Sequence, residues 1–181
     1  MGSRYRRSYG EHAISTTLIT QTYRSRRRRD LFFAWLPAIL GVCVIAAEST
    51  DAFSSAHTSG PTRILWQLIF GRVSDLQWDI DNHYVRKTGH FVGYGMLGLL
   101  FYRAWYLSAR ILVRYRHRLE NVIYALTCTA AVACADEYHQ TMLPSRTGLP
   151  QDVLLDMIAA AVFQLIFWLV LLAWGRRPGA A

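Results

Sequence analysis

The chain has only three cysteines, and none of them lies in a pattern that suggests cross-linking or metal binding. Cys43, Cys128 and Cys134 all fall within apolar segments, where a free thiol usually behaves as a small buried side chain. The sequence also contains neither a nucleophile elbow nor a phosphate-binding loop. We therefore predict no disulfide framework and no cysteine zinc site, and Ser145 alone does not define a catalytic serine.

Charge is missing altogether from two long segments. Residues 31–47 and 157–175 contain no Asp, Glu, Lys or Arg, and the second is long enough to cross a hydrocarbon core, which takes about 20 apolar residues. The overall hydrophobic fraction of 52% is only modestly high. The concentration of apolar residues in a few runs is what indicates an integral membrane protein. The length of 181 residues suggests one domain.

Basic residues are clustered at the ends of the apolar runs. The net charge of +8 would suggest nucleic acid in a soluble chain, but this placement is the one that membrane orientation requires. We therefore expect no nucleic-acid partner. Residues 1–30 hold eight arginines and are expected to form a disordered cytoplasmic arm. The arm serves either as a topology signal or as an anchor for anionic lipids.

The apolar runs predict an all-α fold, a membrane bundle of four transmembrane helices. The transmembrane domain covers residues 31–175, and residues 176–181 form a cytoplasmic tail. Between helices 1 and 2 we expect a short extra amphipathic or re-entrant helix, followed by a solvated acidic loop that ends near residue 85. The four predicted helices cover residues 31–49, the stretch between Lys87 and Arg103, residues 119–142 and residues 151–174.

Positive charges predict the orientation of these helices. With the N-terminus inside, 15 of the 20 basic residues lie on the cytoplasmic side, so both termini are expected in the cytoplasm. The polar groups that are unusual in membrane helices then all fall in the outer half of the bundle. They are Glu48, Lys87, His90, Glu137, Gln140, Asp152 and Asp156.

Helical spacing permits these groups to share one inward face. Lys87, His90 and Tyr94 follow i, i+3, i+7, and Asp152 and Asp156 follow i, i+4. Ionisable groups in membrane helices are costly and usually face a partner or a water-filled cavity. We therefore predict an outward-facing polar pocket. The alternative is a set of salt bridges and hydrogen bonds that only fixes the packing of the helices.

Acid–base chemistry and metal binding are two further interpretations of this pocket. Glu137 and His90 are the candidate catalytic residues, because a carboxyl group and an imidazole can act as general acid and base in a low-dielectric site. His90 or His139 could also bind a metal together with Glu137, Asp152 or Asp156. The local spacing matches no standard metal signature, so we predict neither a metal site nor a cofactor.

Two motifs carry a resemblance to a known family. Residues 87–97 read Lys-Thr-Gly-His-Phe-Val-Gly-Tyr-Gly-Met-Leu, and residues 136–140 read Asp-Glu-Tyr-His-Gln. Followed by Pro-Ser-Arg at 144–146 and by Asp152, they resemble the VanZ-like family over about residues 31–175. The sequence departs from the usual family pattern at two places. Ser145 stands where Gly is commoner, and alanines occupy positions 160 and 161, where the family usually has a Gly.

The resemblance implies a multi-pass protein of the bacterial cytoplasmic (inner) membrane, in a group named for low-level teicoplanin resistance. We expect membrane lipids as partners and a pocket for a lipid headgroup, a lipid-linked cell-wall precursor or a lipoglycopeptide. The alternatives are an enzyme acting on a lipid-linked substrate and a structural or partner-binding subunit. No oligomeric state is predicted. The candidate ligand-binding residues are Glu48, Arg86, Lys87, Tyr94, His139, Gln140, Arg146, Asp152 and Asp156.

Overall fold

The predicted all-α class is confirmed. The structure is a computed structural model that describes residues 3–113, 118–144 and 146–175, with side chains from residue 23 onward except at positions 56 and 175. These ranges contain five α-helices, a short 3-10 turn and no strand. The helices are α1 (Ser3–Glu48), α2 (Ser55–Phe70), α3 (Asp75–Leu112), α4 (Arg118–Thr141) and α5 (Pro150–Gly175), and the 3-10 turn is Asp51–Phe53.

α3 begins a full twelve residues before Lys87, so the predicted solvated loop was wrong: the acidic stretch from Asp75 is helical. Ser74 caps the helix, and its hydroxyl accepts a hydrogen bond from the N–H of Gln77 at 3.2 Å. Asp75 places a negative charge in the first turn, where the helix dipole favours it. One turn later, Gln77 donates to Asp81 at 2.8 Å. These local interactions explain why a strongly polar segment is helical.

α1 also begins earlier than predicted. Helix is present from Ser3, where composition favours a disordered arm over residues 1–30. The segment 3–30 contains no proline and only one glycine, and arginine is among the better helix formers, so nothing in it interrupts a helix. The basic arm is therefore continuous with the first apolar segment. The predicted tail, residues 176–181, lies outside the described residues.

Two helical segments, Tyr23–Glu48 and Pro150–Trp174, are long and apolar enough to cross a membrane by length and composition. Only 17% of the apolar window in each is buried inside the protein, whereas a core helix of a soluble protein would be largely covered. Within the described ranges, α3 and α4 do not meet the same criterion. Each offers only 15 consecutive uncharged residues, 88–102 and 121–135.

α3 is the central helix, because it contacts α1, α2, α4 and α5. Two of its glycines let α5 approach closely. A Cβ at Gly98 would lie 2.8 Å from the Cβ of Ala160, and a Cβ at Gly95 would lie 2.5 Å from the ring of Phe163. Such small residues are typical of tightly packed membrane helices. Alanine at position 160 is accommodated here because its partner is a glycine.

α1 runs antiparallel to α3. Near one end of the pair, the indole N–H of Trp35 donates to the hydroxyl of Ser108 at 2.9 Å, and Arg103 donates to the carbonyl oxygen of Ala34 at 3.0 Å. Towards the other end, Gly41 packs against Leu97. The C-terminal end of α1 therefore lies beside the N-terminal half of α3, at the same end of the bundle as the turn between α4 and α5.

Candidate functional site

A cleft of about 660 Å³ lies at this end of the bundle. It is bounded by α2, by the N-terminal half of α3, by the end of α4, and by the turn that leads into α5. Six of the residues predicted from the sequence line it. They are Arg86, Lys87, His90, Gln140, Arg146 and Asp152.

An ion pair crosses one wall of this cleft. The Lys87 Nζ donates to Oδ1 of Asp152, and the two side chains are 33% and 16% exposed. The pair joins α3 to the first turn of α5, where a carboxylate is also favoured by the helix dipole. The charge of Lys87 is therefore already compensated within the protein.

Arg146 ties the α4–α5 turn to the end of α1. Its Nη2 donates to the carbonyl oxygen of Glu48 at 2.6 Å and to that of Thr50 at 3.1 Å. A cation is favoured at this position, because the last carbonyl groups of a helix carry partial negative charge. The backbone of Glu48, rather than its carboxylate, makes this contact. Arg146 thus has a structural role as well as a position at the cleft.

Arg86 differs from the other two basic residues of the cleft. It makes no hydrogen bond or ion pair with the residues that the structure describes. Partial burial, together with the charge of Arg146, lowers the pKa of the Arg86 guanidinium. A half-buried guanidinium beside a second one is destabilised unless an anion compensates it. The cleft therefore contains a cationic group that is suited to a bound anion.

A buried cluster of ionisable side chains adjoins the cleft through His90. Asp156 is completely buried and Glu137 is 5% exposed. The Nδ1 of His90 lies 3.6 Å from Oδ1 of Asp156, and one potential ligand atom from each of the three residues lies within 4.8 Å of the others. The two candidate catalytic residues, Glu137 and His90, are thus brought together, with Asp156 as a third member.

The α4–α5 turn fixes the orientation of the Glu137 side chain. Its Oε2 accepts a hydrogen bond from the backbone N–H of Leu149 at 2.8 Å, whereas its Oε1 is buried and has no hydrogen-bond partner among the described residues. Gly148 allows this approach, because a Cβ there would overlap the carbonyl oxygen of Glu137 and lie 2.7 Å from the Thr141 methyl carbon. One carboxylate oxygen is held, and the other is available.

Tyr94 and Glu48 lie beside a smaller cavity behind His90, of about 10 Å³. The Tyr94 hydroxyl donates to Oδ2 of Asp136 at 2.8 Å, and its ring stacks on His90 with the centroids 6.0 Å apart. Asp136 also lines this cavity. It is a buried member of the site that we did not predict, since its partner Tyr94 lies on another helix.

The VanZ/LLP1 family model matches residues 32–172, which is most of the chain. The chain belongs to the VanZ/LLP1 family. A comparison with curated proteins finds no match, and neither does a comparison with solved structures. The two sequence motifs that resemble the family contain Lys87, His90, Glu137 and Gln140. In this VanZ/LLP1 protein, Lys87, His90 and Gln140 line the cleft, and His90 and Glu137 belong to the buried cluster.

Eight further residues line the cleft of the VanZ/LLP1 protein and were not predicted from the sequence. Three of them, Asp79, Asn82 and His83, lie on the helical extension of α3. Asp79, His83, Arg86 and His90 recur at intervals of three or four residues, which places them on one helix face. In a loop, which the acidic residues suggest, the same spacing would not place these side chains on a common face. The missed residues are Ser55, Ser59, Asp79, Asn82, His83, Pro144, Thr147 and Leu149.

Two of the predicted ligand-binding residues of the VanZ/LLP1 protein line neither cavity: Asp156, which belongs to the buried cluster, and His139. His139 contacts another part of the chain. Its Nδ1 is 2.9 Å from the hydroxyl of Ser49, so the side chain contacts the end of α1. The neighbouring Gln140 is buried and lines both cavities. Successive residues of a helix point in directions about 100° apart, which explains why only one of the two faces the cleft.

Proposed function

We propose that this VanZ/LLP1 protein crosses the bacterial cytoplasmic membrane four times and binds the phosphate of an anionic lipid headgroup in the outer leaflet. The single observation that carries the binding proposal is Arg86. It is half-buried in the cleft beside Arg146 and has no counter-ion among the described residues. Both termini face the cytoplasm in this arrangement, and the cleft faces outward.

The distribution of charge and apolar surface supports four spans. Only 17% of the apolar window in Tyr23–Glu48 of α1 and in Pro150–Trp174 of α5 is buried. α3 and α4 pack in the same bundle and contain 15 consecutive uncharged residues each. Long basic side chains at the helix ends can reach the headgroup region. α2 has only 16 residues, about 24 Å of helix, so it lies at the membrane surface with its exposed apolar side chains in the lipid. These are Ile64, Leu65, Leu68, Ile69 and Phe70.

Cysteine accessibility tests this orientation. In a variant with the three native cysteines replaced by alanine, Thr147→Cys is expected to react with a membrane-impermeant maleimide in intact cells, because Thr147 is exposed at the outer cleft. Val113→Cys, at the opposite end of α3, is the matched control. It should react only after the cells are permeabilised. Labelling of Val113→Cys in intact cells, or protection of Thr147→Cys, would contradict the proposed topology.

The size and lining of the cleft suit a phosphorylated headgroup. A volume of about 660 Å³ lies within the range of small-molecule sites, about 300–1,000 Å³. Arg86 can donate to phosphate oxygens in a fork-like geometry. Asp79 and Asn82 also line the cleft and can accept hydrogen bonds from headgroup hydroxyls. The cleft thus combines a cation for the phosphate with acceptors for a polyol.

Native mass spectrometry of the protein released from nanodiscs tests headgroup binding. Phosphatidylglycerol is expected to be retained over phosphatidylcholine, and Arg86→Gln is expected to weaken retention about tenfold or more, because hydrogen bonds to a charged group contribute about 1.5–3 kcal/mol. Arg72→Gln removes the same charge from an exposed site outside the cleft and should retain the lipid. Equal retention by both variants would refute the proposal. Displacement by inorganic phosphate would indicate a site for free phosphate instead.

A second candidate is an enzyme that acts on a lipid-linked substrate by acid–base chemistry. The observation that favours it is the convergence of His90 and Glu137 beside the cleft. The same nanodisc samples distinguish the two functions. Conversion of the bound lipid by the wild-type protein, lost in Glu137→Gln while the lipid is still retained, would favour the enzyme.

A further inference from the structure

The buried cluster contains more carboxylate charge than its neighbours compensate. Asp156 is fully buried, and neither of its oxygens accepts a hydrogen bond from the residues that the structure describes. The Oε1 of Glu137 and the Oδ1 of Asp136 are also buried, and neither has a hydrogen-bond partner in the described part of the chain. A buried charge is costly unless it is paired or bound to a metal. Lys87, which lies one turn before His90 on α3, is already paired with Asp152.

His90 does not remove this excess by itself. Its Nδ1 is 3.6 Å from Oδ1 of Asp156, which is longer than a normal hydrogen bond. Two ligand atoms that bind one tetrahedral metal ion at about 2.1 Å lie about 3.4 Å from each other. The distance between the His90 and Asp156 atoms is close to this value. The ligand atoms of His90, Glu137 and Asp156 all lie within 4.8 Å of one another, so one ion can reach all three after small side-chain adjustments.

We propose that His90, Glu137 and Asp156 bind one divalent transition-metal ion, zinc or manganese, beside the cleft. The ion would compensate the two buried carboxylates, and it would link α3, α4 and α5. A neutral imidazole and two carboxylates suit zinc and manganese. Calcium is disfavoured, because it takes six to eight oxygen ligands. This site does not depend on headgroup binding, since none of its three residues is Arg86.

Neighbouring groups hold the three ligands in place. The backbone N–H of Leu149 fixes Oε2 of Glu137 and leaves Oε1 free. Tyr94 stacks on the ring of His90, which restricts its rotation. Such supporting contacts are typical of metal sites, where they orient the ligands. Three protein ligands also leave a coordination position open, and His90 lines the cleft, so a water or a phosphate oxygen from the cleft could complete the coordination.

Metal titration of the full-length protein tests this proposal. The protein is purified in detergent, stripped with a chelator and titrated with Zn²⁺ or Mn²⁺, and one equivalent is expected to bind and to raise the unfolding temperature. For bound Mn²⁺, pulsed electron paramagnetic resonance should detect coupling to an imidazole nitrogen. Absence of stoichiometric binding, or of the nitrogen coupling, in the wild-type protein would overturn the proposal without reliance on any variant.

Substitutions then identify the ligands. His90→Ala and Asp156→Asn are each expected to weaken metal binding about 100-fold or more, because loss of supporting residues alone costs 10- to 100-fold. His57→Ala removes an imidazole from α2, and Asp81→Asn removes a carboxylate from α3, both outside the cluster. These controls should bind metal normally. Equal affinity in all four variants would show that the ion binds elsewhere. Arg86→Gln should lose the headgroup but keep the metal, so the two proposals fail independently.

Discussion

Replacing Gly148 by alanine is expected to lower the free energy of unfolding by about 3 kcal/mol, because overpacking at this position cannot be relieved locally. The added Cβ would overlap the carbonyl oxygen of Glu137 and lie 3.1 Å from the backbone nitrogen of Thr141. Both atoms belong to the backbone of α4, which cannot rotate away as a flexible side chain could. The α4–α5 turn must therefore move as a unit.

The same substitution is expected to disturb the site as well as the stability. Displacement of the turn would take the N–H of Leu149 away from Glu137, whose carboxylate would then lose its fixed orientation. Weaker metal binding should accompany the lower unfolding temperature in detergent. The proposed metal-binding experiment and a thermal melt of the same sample measure both effects.

Gly60→Ala is the matched control for Gly148→Ala. Gly60 lies within α2, and apart from its chain neighbours and its own helix backbone, no described residue has an atom within 4 Å of a Cβ there. Alanine is favoured over glycine inside a helix by about 0.5–1 kcal/mol, whereas the following Pro61 disfavours a helical residue that has a Cβ. The two effects oppose each other, so this variant should change the free energy of unfolding by less than about 1 kcal/mol. If Gly148→Ala unfolds at the same temperature as Gly60→Ala, the close contact between Gly148 and the backbone of α4 is contradicted.

Replacing Lys87 by methionine is expected to destabilise the protein by about 2–3 kcal/mol, because it leaves the carboxylate of Asp152 unpaired. Loss of one partner from a fully buried ion pair costs about 3–5 kcal/mol. A smaller loss of stability is expected for Lys87→Met, because the Lys87 and Asp152 side chains are 33% and 16% exposed. Lys87→Arg retains the charge and should lose much less stability.

A double-mutant cycle separates the free energy of the Lys87–Asp152 interaction from the other contributions of the two side chains to stability. Adding Asp152→Leu to Lys87→Met removes the unpaired charge, so the double variant should recover most of the lost stability, with a coupling of about 2 kcal/mol. Lys87 is also the only lysine of the chain, and its reaction with an amine reagent can be followed by mass spectrometry. Faster modification in Asp152→Asn than in the wild type would confirm the pair, and additive destabilisation in the cycle would contradict it.

Long apolar runs in the sequence predicted helices, whereas the residues at which the helices begin and end were harder to predict. The uncharged runs at 31–47 and 157–175 predicted two helices that the structure contains within α1 and α5. The start of α3 was missed because Asp75 and its acidic neighbours suggested solvated loop, whereas the Ser74 cap favours a helix. A helix N-cap depends on one residue and its nearest neighbours, so a hydropathy pattern does not reveal it.

The sequence by itself determined the all-α class, the apolar segments and the identity of the polar residues within them, because these depend on composition and on spacing along one helix. Only the tertiary structure decided which polar residues meet. His90, Glu137 and Asp156 lie on three different helices, so their convergence depends on how each helix is rotated about its axis. Close contacts at Gly98 and Gly148 set those positions, and local periodicity contains no information about the partner helix.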